Sequence, residues 1–215
     1  MPTINVAPTR TNLIRIKKEL RFAREGYEIL DRKREVLTTE LVRVAKEADA
    51  VQKEVWKLLE TAYGALENAR LTMGSDNVEW AALAASKTVD VHLKLRGIMG
   101  VAVPEISARG EPLKLLYSLS GTNAALDEAA AVFREVVIKA PQLSQLATTV
   151  WRLAGELRKT QRRVNALQHI FIQQYEATVA FIVSSLEERE REETFRLKWL
   201  KTKMTKAAAA EMVVE

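Results

Sequence analysis

The chain has 215 residues, no cysteine and a net charge of +5, from 33 lysines and arginines against 28 aspartates and glutamates. The missing cysteines exclude disulfides and thiolate metal sites. No apolar run approaches the roughly 18 residues of a transmembrane helix, and the N-terminus has no apolar signal core, so we expect a soluble, intracellular protein. A composition with only 8 glycines and 5 prolines is typical of a largely helical chain.

Apolar residues of the N-terminal part recur at alternating spacings of three and four, from Leu13 to Ala69, with Arg34 as the single charged member. A narrow seam with a period of about 3.5 residues is typical of a coiled-coil helix, whereas an ordinary globular helix carries a broader stripe. We therefore predict an N-terminal lead over residues 1–8 and a coiled-coil helix over residues 9–74. Such a helix needs a partner helix along its length.

The central region, residues 75–122, departs from this pattern. A capping box predicts a short helix over residues 76–86. Polar and apolar residues then alternate over residues 88–95, which predicts a β-strand. Residues 101–106 are the predicted antiparallel partner, joined through a five-residue connection, and Pro104 marks this strand as an edge.

The three-four spacing returns over residues 123–206, followed by a predicted flexible tail over residues 207–215. Pro141 either kinks or breaks this helix, and we favour a kink. The seam changes register between Phe171 and Leu186 through repeated steps of four, and such a stutter locally unwinds a coiled coil.

Two long helices at opposite ends of one chain close each other's seams if the chain folds back on itself. The predicted fold class is therefore mainly α, with a long antiparallel two-helix coiled coil of the N- and C-terminal helices and a small central β-hairpin. Pairing positions whose numbers sum to about 215 places Leu13 near Thr202, Met73 near Gln142 and Arg34 near Phe181. The same sum lays the short helix against residues 129–139.

No motif for catalysis is present in the sequence. There is no glycine-rich phosphate loop and no metal-ligand motif, and the acidic run over residues 187–193 contains arginines that favour ion pairs along a helix. We therefore predict a protein that is not an enzyme and holds no cofactor or metal. A free-standing coiled-coil scaffold or tether and a basic nucleic-acid-binding protein remain as alternatives, although no basic block contains aromatic residues that would stack on bases.

Several stretches carry a more specific signal, and they are Pro8-Thr9-Arg10, Leu30 to Arg34, Ala125 to Ala129, Thr160 to Leu167 and Leu186 to Glu192. Together these stretches resemble the D subunit of the V-type and archaeal-type (V/A-type) rotary ATPases. The resemblance covers most of the chain and is weakest in the middle. Gln173 stands where the family often has a proline.

The resemblance implies a non-catalytic central rotor shaft, which couples ATP hydrolysis or synthesis in a catalytic hexamer to ion translocation by a membrane ring. The implied partners are the catalytic A and B subunits of the head hexamer, the F subunit and the ring-capping C/d subunit, with no nucleic acid. The complex would lie peripherally on the cytoplasmic side of the membrane. The sequence does not distinguish ATP synthesis from hydrolysis or protons from sodium ions.

Three groups of residues are candidate contacts on such a shaft. The first two would meet the catalytic head: the basic residues Arg32, Lys33, Arg162 and Arg163 at its acidic surfaces, and the apolar residues Phe195, Leu197, Trp199 and Leu200 at its upper collar. The third group lies on the hairpin, where it would contact the ring cap or modulate hydrolysis: Val89, Val91, Leu93, Val101 and Val103.

Overall fold

The structure is a computed structural model that describes residues 4–83, 89–110 and 122–211. Its elements, in chain order, are helix α1 (Arg10–Met73), helix α2 (Ser75–Leu83), strands β1 (Val89–Ile98) and β2 (Val101–Gly110), helix α3 (Ala124–Ala166), a π-helical turn (Leu167–Phe171) and helix α4 (Ile172–Glu211). The predicted fold class, mainly helical with a central β-hairpin, is confirmed. The predicted end of the short helix near residue 86 and the first strand residue, Thr88, lie outside the described residues. Across the described ranges, no helix is long and apolar enough to cross a membrane.

Both ends of α1 are set by local chemistry. At the N-terminus, the Thr9 hydroxyl accepts a hydrogen bond from the backbone N–H of Asn12 at 3.2 Å, as an N-cap residue does. At the C-terminus, Gly74 has a φ of 82° and donates its N–H to the carbonyl of Arg70 at 2.9 Å. A left-handed glycine of this kind ends a helix without a steric penalty, so α1 stops at Met73.

The chain divides into two units, the first made of Met1–Arg32 with Thr160–Glu215 and the second of Lys33–Lys159. In the first unit, the start of α1 packs antiparallel to the end of α3 and to α4. Arg10 pairs with Glu190 and Arg24 pairs with Glu176, so low numbers meet high ones. The buried side chains of this unit are Ile16, Ala23, Thr160, Val164, Thr178 and Ile182.

The second unit contains the rest of α1, together with α2, the hairpin and most of α3. One core cluster joins α1 to α3 through Leu37, Val44 and Leu153, and residues of the hairpin turn pack against it. A second cluster joins the end of α1, α2 and the start of α3 through Ala69, Val78, Ala81 and Leu126.

The predicted register of the antiparallel pair was wrong by about 15 to 20 residues. Met73 packs beside Leu126, although a position near Gln142 was predicted, and α2 meets the start of α3 instead of residues 129–139. Arg10 meets Glu190. The prediction aligned the two chain ends, but the packed apolar layers set the register and leave α4 longer than its partner needs. The same error placed Arg34 opposite Phe181, whereas its neighbour Lys33 pairs with Glu156.

Two features of the C-terminal helices correct the sequence interpretation. Helix α3 continues through Pro141 without a break, which leaves the kink as the remaining prediction. The stutter corresponds to the π-helical turn, which contains one of the residues assigned to the seam, Phe171. That side chain is 45% exposed, so its assignment to the buried seam was wrong.

The hairpin is tighter than predicted. Strands β1 and β2 pair from Val89 opposite Gly110 to Ile98 opposite Val101, which leaves only Met99 and Gly100 in the turn. Their φ values of 49° and 80° fit the left-handed conformation that two-residue hairpin turns require. The predicted five-residue connection was wrong because Arg96, Gly97 and Ile98 continue the first strand.

Candidate interaction surfaces

The hairpin has one anchored part and one exposed apolar row. Ile98 and Val101 pack against the core cluster of Leu37, Val44 and Leu153, and Val103 is buried. The backbone N–H of Ile106 donates to the Gln145 side chain at 2.6 Å, and Arg152 donates to the Ala102 carbonyl at 2.7 Å. In contrast, β1 exposes more than half of each side chain in the row Val91, Leu93 and Leu95.

The five hairpin residues singled out from the sequence therefore have different surroundings. Val91 and Leu93 are exposed and available to a partner. Val89 and Val101 are half-buried, while Val103 is 4% exposed and serves the packing of the hairpin itself. Periodicity alone could not separate them, because it identifies a face but not what covers that face.

The four basic candidates also differ. Arg32, Arg162 and Arg163 are exposed in the first unit, where the described residues form no ion pair with them. Lys33 belongs to the second unit and lies 3.4 Å from the Glu156 carboxylate, with only 31% of its side chain exposed. Lys33 is therefore partly committed to a contact inside the protein.

The last part of α4 carries large apolar side chains without any burial. Phe195, Leu197 and Trp199 are 71%, 68% and 56% exposed, Leu200 is 48% exposed, and Met204 shares this exposure. The Lys203 ammonium lies 4.9 Å from the centre of the Trp199 ring, a cation–π distance. Because an isolated helix is marginally stable in water and exposed apolar clusters mark binding sites, this segment is a candidate docking helix.

A groove beside the π-helical turn was not predicted from the sequence. It has a volume of about 410 Å³ and an apolar lining formed mainly by Phe22, Ala23, Leu167, Phe171 and Tyr175. Phe22 is 77% exposed at its rim. The only sequence signal for this site was the change to steps of four at Phe171, which indicated a disturbed seam but not an opening.

A charged cluster on α1 lies near the hairpin. Arg43 donates to Glu40 at 2.5 and 3.0 Å and to Glu47 at 2.6 Å. The hydrogen bond from Arg43 lowers the pKa of Glu40, its desolvation acts in the opposite direction, and the charges of Arg43 and Arg96 lower this pKa further. Glu40, in turn, raises the pKa of Arg43. This cluster holds charges in place but offers no group suited to proton transfer.

Metal-ligand chemistry finds no support in the described parts of the chain, which contain no group of three or more His, Asp or Glu residues able to hold an ion. The surfaces that stand out are instead apolar or basic: the exposed row on β1, the end of α4, the groove at the π-helical turn and the exposed arginines. Such surfaces suit protein–protein contacts.

Known proteins give these surfaces a context. The sequence profile of the family described as the ATP synthase D subunit matches residues 12–202. The V-type ATP synthase D subunit of Thermotoga neapolitana is 41% identical over 203 residues, which cover 94% of this chain and 100% of the relative. The A-type ATP synthase D subunit of Thermococcus gammatolerans is 38% identical over 201 residues, covering 92% and 94%. The V-type ATP synthase D subunit of Treponema pallidum that is numbered 2 is 38% identical over 198 residues, covering 92% and 95%. The chain thus belongs to the D-subunit family of V-type and A-type ATP synthases and is a component of such a complex.

Proposed function

We propose that this chain is the central rotor shaft of a V/A-type rotary ATPase, which couples ATP hydrolysis or synthesis in the catalytic hexamer to ion translocation by the membrane ring. The observation that carries the proposal is the end of α4, where large apolar side chains from Phe195 to Met204 extend beyond the ion pair of Arg10 with Glu190. A helix of this kind needs a surrounding protein partner. The family to which the chain belongs supplies one in the catalytic head.

The proposed mechanism needs no chemistry on the shaft itself. Two antiparallel helices have an asymmetric cross-section, so one orientation presents different faces to the three catalytic interfaces of the head. Rotation exchanges those faces, and each face shifts the equilibrium of an interface between states of different nucleotide affinity. By reciprocity, nucleotide binding and hydrolysis favour the next orientation of the shaft. The chain acts as a non-catalytic subunit in this scheme.

The candidate contacts divide along the chain. Arg32, Arg162 and Arg163 face acidic surfaces of the A and B subunits, and the end of α4 bears on the collar of the head. The exposed row on β1 contacts the ring-capping C/d subunit or modulates hydrolysis, and the F subunit binds beside the shaft. The complex lies peripherally on the cytoplasmic side of the membrane. These assignments follow from exposure, charge and the family.

Co-assembly with purified subunits tests this function. The chain is co-expressed with the A, B and F subunits of the same genome, and the complex is purified through a tag on the A subunit. One copy of the chain per hexamer and ATP-driven rotation of a bead fixed to the chain are the expected results. A chain that purifies as a lone homodimer would instead support the free-standing tether. Salt-sensitive retention on DNA without assembly would support the nucleic-acid alternative.

A further inference from the structure

A groove in the second unit lies between the hairpin turn and helix α3. It has a volume of about 530 Å³. One wall is the backbone of the hairpin from Gly100 to Ala102, and the other is a stretch of α3 that begins at Trp151 and ends at Lys159. The hydrogen bond from Arg152 to the Ala102 carbonyl, 2.7 Å long, joins the two walls. The groove is therefore held open by structure on both sides.

The α3 wall combines a large exposed aromatic residue with a bare backbone. Trp151 is 78% exposed although tryptophan is costly to leave in water. Gly155 follows one turn later, and a Cβ atom placed there would meet nothing within 4 Å. Arg158 lies one further turn along, so the three residues share one face of the helix. A chain segment can approach the helix backbone at Gly155 with Trp151 beside it.

The charge of the groove is positive. Its lining includes three basic side chains, Arg152, Arg158 and Lys159, and one carboxylate, Glu156. That carboxylate is already shared between Lys33 at 3.4 Å and Lys159 at 4.0 Å. Arg158 has no ion pair among the described residues. An arginine fork without a carboxylate partner, next to a lysine, is suited to bind a carboxylate from outside.

We propose that this groove receives an acidic segment of a neighbouring protein subunit. Its carboxylates bind Arg158 and Lys159, an apolar side chain packs on Trp151, and its backbone crosses α3 at Gly155. The inference rests on the proposed function only in that the neighbour is a subunit of the same ATPase complex. It goes beyond that function by assigning the site and the chemistry of the segment that fills it.

Photo-crosslinking in the assembled complex tests the site. Trp151 is replaced by benzoylphenylalanine, and matched replacements at the exposed tryptophans Trp56 and Trp80 serve as controls. The expected result is a cross-link from position 151 to a peptide rich in aspartate and glutamate in another subunit, a peptide that neither control captures. No cross-link, a link to a non-acidic peptide, a link within the same chain or a link to a second copy of the chain would each overturn the proposal.

Two pairs of variants test its chemistry. Arg158→Glu should weaken the binding of the cross-linked subunit by at least about tenfold and reduce its sensitivity to salt, whereas Lys57→Glu, the same charge reversal on α1, should not. Gly155→Leu fills the groove, and Gly64→Leu places the same side chain on an exposed helix elsewhere. Circular dichroism establishes that each variant folds.

The outcomes separate the two proposals. If the wild-type chain fails to assemble with the A, B and F subunits, the proposed function fails. If the wild-type chain assembles but Arg158→Glu and Gly155→Leu behave like their controls, the groove proposal alone is wrong.

Discussion

The ammonium nitrogen of Lys33 lies 3.4 Å from the Glu156 carboxylate, with only 31% and 26% of the two side chains exposed. This pair links α1 to α3 within the second unit. Arg10 and Glu190 form a comparable pair in the first unit, but 79% and 61% of these side chains are exposed. Solvent screens the second pair far more than the first, so the two pairs differ in what they contribute to stability.

Lys33→Ala should therefore lower the free energy of unfolding by about 1 kcal/mol, because it leaves Glu156 with only the more distant Lys159. Arg10→Ala should have a smaller effect. Urea denaturation of the isolated chain at low and high salt measures both changes. An equal loss in the two variants would contradict the difference expected from burial.

Glycine substitutions should change stability in opposite directions at two positions. A Cβ atom at Gly26, inside α1, would meet nothing within 4 Å, so Gly26→Ala should stabilise the isolated chain by about 0.5–1 kcal/mol through helix propensity. Gly74 has a φ of 82°, so Gly74→Ala should destabilise by about 1 kcal/mol. Thermal unfolding followed by circular dichroism measures both.

The Gly26 variant also tests whether another subunit approaches the helix there. If Gly26→Ala raises the melting temperature but weakens assembly of the complex, a partner packs against the bare backbone. Gly64→Ala, in the same helix and with the same open surroundings, is the matched control. Unchanged assembly for both variants would mean that Gly26 is simply tolerated.

Acid should weaken the charged cluster on α1. Since Arg43 lowers the pKa of Glu40 below its ordinary value of 4.5, the stability that this interaction provides is fully present above about pH 4.5. It is lost as the pH falls through the lowered pKa, because protonation removes the charge that Arg43 binds. Glu40→Gln should flatten the pH dependence of the melting temperature in that range, and Glu60→Gln should not. Parallel curves for Glu40→Gln and the wild type would exclude this contribution.

The buried positions of α1 were predictable because a heptad is a local pattern. Ile16, Ala23, Leu37, Val44 and Ala62 are all buried, and all fall on the seam read from the sequence. The left-handed Gly74 likewise marked the end of the helix. Each of these features depends on a few neighbouring residues, which is why one sequence is enough to identify them.

Pairing between distant segments was less predictable. A seam of similar apolar residues allows several registers that differ by whole heptads, and only the fit of layers such as Ala69 with Leu126 selects one. The tight hairpin depends on Met99 adopting a positive φ, which a methionine rarely does. The groove between the hairpin and α3 depends on both of these, so no local pattern could reveal it.

The π-helical turn should tolerate a deletion that a regular helix does not. A π turn contains one residue more than an α turn, so removing Ile170 restores an α-helix and leaves Thr178 and Ile182 facing their partners. Removing Arg158 from α3 instead rotates the residues beyond it by about 100° and exposes the seam.

We therefore expect the first deletion to shift the melting temperature by less than about 4 °C and the second by more than about 10 °C. Similar losses would mean that the π turn is required for packing.

The exposed end of α4 should matter only in the complex. Trp199 and Leu200 are 56% and 48% exposed, so replacing both by serine removes almost no packing from the isolated chain. Its melting temperature should stay within about 2 °C of the wild type. In the complex, the same change should weaken retention of the chain by the catalytic head at least tenfold, because two apolar anchors of about 1–2 kcal/mol each are lost. Thr202→Ala, on the same segment, is the control. If the double variant is retained as well as this control, the end of α4 does not contact the head.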